Sequence, residues 1–226
     1  MMQDKVNADK KYFDFSDYRT RKGFNFFRPM CNLSCKTRAK LVVEGVENIE
    51  REDGFIIAAN HTIIYDPIFI ATASKKRLLH FVAKYEAFKN PIARAVLKSC
   101  NAFPIVRGRG DLQAINYASD LVKKGKVLCI FPEGTRSRDG YPKKAKSGVG
   151  LIARKAKCDV VPAAICVEER GKFGTRVFVK FGEPIKYEEM NFTEDGGTKE
   201  NKEVAKMVMD RIVLLWRECR KKCKYK

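Results

Sequence analysis

A chain of 226 residues with 45% hydrophobic and 11% aromatic content can bury a real core, which excludes general disorder. Its 46 lysines and arginines against 27 acids give +19, a balance that points to an anionic partner: a membrane surface, nucleic acid or a phosphorylated substrate. No apolar run approaches the roughly 20 residues of a spanning helix, and two histidines leave little for a histidine-rich metal centre, so no metal is expected.

Residues 1–11 are polar and lack the apolar stretch of a secretory signal. The segment 1–39 then mixes Tyr12, Phe13, Phe15, Tyr18, Phe24, Phe26, Phe27 and Met30 with Arg19, Arg21, Lys22, Arg28, Lys36 and Arg38, and Pro29 interrupts any long helix. Aromatic and basic residues together suit an interfacial membrane anchor, and equally a short helical stretch that packs its rings on the domain. Both readings stand.

From residue 40 to 226 the pattern becomes alternating strands and helices. A strand at 41–43 ends at Gly45. The run 55–59 is apolar throughout, as in a sheet covered on both faces. Asp66 as N-cap and Pro67 as first helical residue open a helix. A strand at 78–82, a helix at 85–100 and a short strand at 102–106 follow. Asp111 caps a helix over 111–124 that Gly125 closes. A strand at 127–131, a helix at 148–157, strands at 160–166 and 176–181 and a helix at 202–219 complete the order, followed by the basic cluster Arg217, Arg220, Lys221, Lys222, Lys224 and Lys226. Strand–helix alternation predicts a single α/β domain with a mostly parallel mixed sheet flanked by helices.

Among eight cysteines, Cys129 and Cys166 sit in apolar runs and read as small core residues. The pairs Cys31/Cys35 and Cys219/Cys223 lack the turn-type spacing of a zinc site. Reduced thiols are expected.

Four strings fall where strands end. Asn60-His61-Thr62-Ile63-Ile64-Tyr65-Asp66-Pro67 places a histidine and a carboxylate where a turn can join them. Histidine titrates near neutrality and a carboxylate can fix its tautomer, but the same residues also read as a loop histidine and a helix cap. No Gly-x-Ser-x-Gly elbow supplies a serine for the pair to activate. Phe131-Pro132-Glu133-Gly134-Thr135-Arg136-Ser137-Arg138 combines a glycine for close backbone approach with hydroxyl and guanidinium donors suited to phosphate. Phe103-Pro104-Ile105-Val106-Arg107-Gly108-Arg109-Gly110 adds arginines at another strand exit. Its Arg-Gly repeat has no aromatic stacking motif beside it, so nucleic acid is not the expected partner. Val160-Val161-Pro162-Ala163-Ala164-Ile165 alone is a strand containing proline.

Together, in this order and spacing, the four strings resemble the blocks of the glycerolipid acyltransferase family, particularly its small bacterial 1-acylglycerol-3-phosphate (lysophosphatidate) acyltransferases. The likeness begins at Glu44-Gly45-Val46-Glu47-Asn48, runs to about Pro184, and is fullest at Phe131 to Ser137. It implies that fold and an enzyme in which His61 is general base on a substrate hydroxyl and Asp66 orients it. Phosphate-binding roles carry over to Arg107, Gly134, Thr135 and Arg136, with Glu133 in the same block. Lys84 resembles a family lysine that binds phosphate or helps form an oxyanion site, and also reads as a surface lysine. Pro162 would line the acyl-donor path. The resemblance implies lysophosphatidate and an acyl thioester as substrates, acyl-CoA or acyl-carrier protein as co-substrate, and no other cofactor. It also implies a cytoplasmic enzyme lying on the anionic inner face of the cell membrane. The basic ends and the early aromatics are the expected membrane contacts. A relative using glycerol-3-phosphate or another lysophospholipid is the alternative, with a non-catalytic basic binding protein a distant one.

Overall fold

The computed structural model describes residues 13–20, 39–106, 110–169, 172, 174–194 and 196–223. Seven strands, β1 (Ala39–Glu44), β2 (Phe55–Ala59), β3 (Leu79–Lys84), β4 (Ala102–Ile105), β5 (Val127–Ile130), β6 (Val160–Val167) and β7 (Thr175–Phe181), form one sheet in the order β1-β7-β6-β2-β5-β3-β4. All neighbours pair parallel except β6 with β7. The exception has a simple cause. Only a short loop joins β6 to β7, which permits an antiparallel return, whereas each parallel neighbour needs a longer crossover.

The apolar runs explain the layers. Phe55, Ile57 and Ala59 point to one face of β2 and Ile56 and Ala58 to the other, and all are fully buried. One face carries α1 (Asp66–Ala73) through Phe69, Ile70 and Ala73. The other carries α3 (Leu112–Lys123), α4 (Gly148–Ala156) and α5 (Thr198–Lys222). The remaining helix, α2 (Pro91–Ser99), has no buried residue and lies beside the edge strand β4, where Pro104 is tolerated. It is shorter than the helix expected over 85–100. Tyr85–Phe88 forms a separate 3-10 turn, and Asn90 then caps α2 by accepting from the Ile92 and Ala93 N–H groups.

The described part of the N-terminal segment, residues 13–20, contains a turn rather than a helix and takes the packing alternative. Phe13, Phe15 and Tyr18 gather around Tyr117, and Phe13 also meets Phe88 and Phe103. The Tyr117 hydroxyl donates to the Asp17 carbonyl at 2.8 Å. Residues 21–38, with Cys31 and Cys35, lie outside the described residues. Cys219 and Cys223 turn inward onto Cys166, with the Cys166 and Cys223 sulfurs 3.4 Å apart.

Candidate active site

Because β2, β5, β3 and β4 are parallel neighbours, the segments leaving their carboxyl ends line one edge of the sheet, where open α/β folds bind ligands. The His61 string leaves β2, the Glu133 string leaves β5, and Lys84 ends β3. At about 4.8 Å between strands, this row extends for roughly 14 Å from β2 to β4. Arg107, with Gly108 and Arg109, follows β4 but lies outside the described residues. His80 sits low on β3, buried, with Nε2 3.5 Å from the Thr20 hydroxyl, so His61 is the histidine of this edge.

His61 and Asp66 meet. His61 Nδ1 lies 2.8 Å from Asp66 Oδ2, and that oxygen also accepts from the Thr62 and Ile63 N–H groups. Asp66 was expected to cap α1; instead Tyr65 holds the cap position without a side-chain bond, and Asp66 is the first helical residue with its carboxylate folded back over the loop. The turn in the chain brings an offset of five residues into contact. With Nδ1 donating to a carboxylate, the neutral imidazole carries its lone pair on Nε2, the nitrogen a general base requires. Phe131 stacks on the ring at 4.3 Å and limits its rotation.

Glu133 is 3% exposed. Its Oε1 accepts from the His61 N–H at 2.8 Å and its Oε2 from the Lys143 N–H at 3.1 Å. Burial pushes its carboxyl up, and these two bonds pull it back. This geometry makes Glu133 a brace between the His61 loop and its own, not a group facing phosphate. A second brace runs from the Ser137 N–H to the His61 carbonyl at 2.8 Å. The Ser137 hydroxyl is engaged by Asp139 at 2.6 Å.

Gly134 adopts φ +66, a left-handed conformation that closes a turn through its N–H to the Phe131 carbonyl. A Cβ here would come within 3.1 Å of the Lys146 side chain, which therefore crosses the loop beside Gly134. Thr135, Arg136 and Lys146 are exposed, and among the described residues no acid bridges to Arg136 or Lys146. Lys146 immediately precedes Ser147, the N-cap of α4, so the positive end of that helix dipole adds to the same region. Lys84 stands exposed at the end of β3, 3.6 Å from Glu86.

Pro162 lies within β6, opposite Ala58. Its carbonyl accepts from the Gly182 N–H at 2.8 Å, just past the end of β7. Further along β6, Ile165 to Glu168 line a cavity of about 210 Å3 with Thr62, Trp216 and Arg220.

Sequence reasoning missed two contributors. Asn60, fully buried, uses its side-chain amide to pair both ways with the Ile165 main chain, at 2.9 and 2.7 Å. It continues the β2–β6 ladder where the backbone departs toward His61. An amide ending an apolar run was the signal. Lys146 offered none beyond a lysine-rich stretch.

The acyltransferase family model matches residues 40–166, more than half of the chain. The chain belongs to the acyltransferase family. A 1-acyl-sn-glycerol-3-phosphate acyltransferase of Bacillus subtilis is 33% identical over 135 residues, 60% of this chain and 67% of that protein. One from Streptococcus pneumoniae is 32% identical over 151 residues, 65% of this chain and 56% of that protein. The crystal structure of the 1-acyl-sn-glycerophosphate (LPA) acyltransferase PlsC from Thermotoga maritima superposes with a TM-score of 0.65 at 26% identity, covering 91% of this chain and 80% of that one.

Proposed function

We propose that this acyltransferase moves a fatty acyl group from acyl-CoA or acyl-carrier protein to the 2-hydroxyl of 1-acylglycerol-3-phosphate, giving phosphatidate for phospholipid synthesis. The observation that carries the reading is the His61 Nδ1–Asp66 contact at 2.8 Å beside a cationic loop with Arg136 and Lys146. His61 Nε2 takes the hydroxyl proton as the oxygen attacks the thioester carbonyl carbon. The tetrahedral oxyanion collapses, the carbon–sulfur bond breaks, and the imidazolium returns its proton to the leaving thiolate. Asp66 holds the tautomer and stabilises the imidazolium. Thr135, Arg136, the Gly134 backbone and Lys146 bind the acceptor phosphate, with Lys84 at the next strand and Arg107 completing the carried-over set. The names of the relatives support lysophosphatidate as acceptor. The enzyme works at the inner face of the cell membrane, because both acceptor and product are lipids. Among the described residues no helix is long and apolar enough to cross a bilayer, which fits peripheral attachment.

The test is to incubate purified protein with acyl-CoA and a panel of acceptors, following free thiol and lipid product. Turnover should be highest with lysophosphatidate, and His61→Ala should lower it by about 10²-fold or more, the usual range for loss of a general base. Preference for glycerol-3-phosphate or a zwitterionic lysophospholipid would overturn the acceptor. Undiminished turnover in His61→Ala would overturn the base.

A further inference from the structure

The exposed large hydrophobic side chains are not scattered. Among the described residues, six of the seven lie on the connections that follow β2, β3, β4 and β5: Ile64, Tyr65, Leu112 and Tyr141 close to the carboxyl ends of β2, β4 and β5, and Ile92 and Val96 on α2, which starts from the carboxyl side of β3 and runs back toward the start of β4. Those carboxyl ends form the edge of the sheet holding His61. The opposite edge, where these strands begin, exposes Glu52, Asp53, Lys75, Lys76 and Lys124 instead. Helix α2 makes the contrast sharpest. It buries no residue, and Ile92, Ala95 and Val96, at one helical spacing, form an outward stripe on which Ile92 is 77% exposed. Ile64, 66% exposed, stands three residues from His61.

Of the residues first expected to touch a membrane, 21–38 and 224–226 lie outside the described residues, and several of the described ones are engaged within the domain. Phe13, Phe15 and Tyr18 pack on Tyr117. Lys222 pairs with Glu44 and Arg220 lies over the Trp216 ring.

We propose that the carboxyl edge of the sheet is the face that enters an anionic lipid surface, with Ile92 and Val96 of α2 as its apolar anchor and Ile64 and Leu112 at its rim. The occupant is a lipid surface because the stripe is interleaved with exposed cations on the same edge, Lys84, Lys89, Arg136, Lys143 and Lys146, the pattern that seats in an anionic headgroup layer. Positive charge occurs on both edges and draws the molecule in; only the apolar residues choose which edge enters. His61 then opens onto the layer that holds the acceptor. This inference rests on the acceptor being a lipid, as proposed above.

The test is sedimentation of the full chain with phosphatidylglycerol–phosphatidylcholine vesicles, comparing wild type, the double variant Ile92→Ser/Val96→Ser and, as control, Leu214→Ser on α5. The double variant should lose vesicle affinity by about tenfold or more, as removal of two aliphatic anchors implies. It should keep its melting temperature and its turnover on a short-chain, water-soluble acceptor, and lose turnover on vesicle-held acceptor. Leu214→Ser should bind as wild type. Undiminished binding by the double variant overturns the proposal. So does undiminished binding with a lowered melting temperature, which would mean that the chain covers its own stripe, or with a change of oligomeric state, which would mean that a second copy does. If wild type turns over no lipid acceptor at all, the functional reading fails, and the vesicle arm still decides the face.

Discussion

Glu133 engages both carboxylate oxygens with main-chain donors, one of them on the residue that carries the imidazole. Its work is therefore to hold the His61 loop at a fixed distance from its own loop. Glu133→Ala would leave two N–H groups without their acceptor, a loss of about 1–3 kcal/mol for each group that remains buried. The expected kinetic signature is a fall in kcat with little change in KM for the acceptor. A phosphate ligand would show the reverse, a raised KM, so steady-state kinetics on the variant separate the two roles. The sequence made His61 and Asp66 legible because they stand just beyond an apolar run at a spacing a turn can close. It left Glu133 and Asn60 obscure for one reason: their partners are backbone groups, which leave no residue pattern to read.

At the scale of elements, strand positions were the most legible, because a buried parallel strand must be apolar throughout. The helix expected over 85–100 broke where Asn90-Pro91 forms an N-cap and first turn, a local signal that outweighs the apolar periodicity running across it. The contact between α4 and α5 could not be read at all, since it depends on a missing side chain. A Cβ on Gly150 would meet the Asn201 carbonyl oxygen of α5 at 2.3 Å, and backbone cannot rotate away. Gly150→Ala should therefore cost about 1–3 kcal/mol, against the usual helix gain from alanine. Thermal melts should show a lower Tm, by roughly 2–4 °C per kcal/mol. Gly148→Ala, where a Cβ meets nothing within 4 Å, should stay close to wild type.

At the scale of the molecule, the charge of +19 is the property most exposed to conditions. Vesicle binding should weaken steeply as salt shortens the Debye length from about 10 Å at 0.1 M to about 3 Å at 1 M. Titrating sodium chloride against bound fraction, on vesicles with and without anionic lipid, checks this; affinity independent of lipid charge would contradict it. The sheet order has a different consequence, one of timing. β1 finds its partner in β7, and the register places Ala39 opposite Thr175, so the first described strand waits for the last. During synthesis β1 has no neighbour until the rest of the sheet exists, and such distant pairings fold slowly. Until then the edge that β7 will cover is open to strands of other chains, which makes a nascent or truncated chain, rather than the finished enzyme, the species most in need of a chaperone.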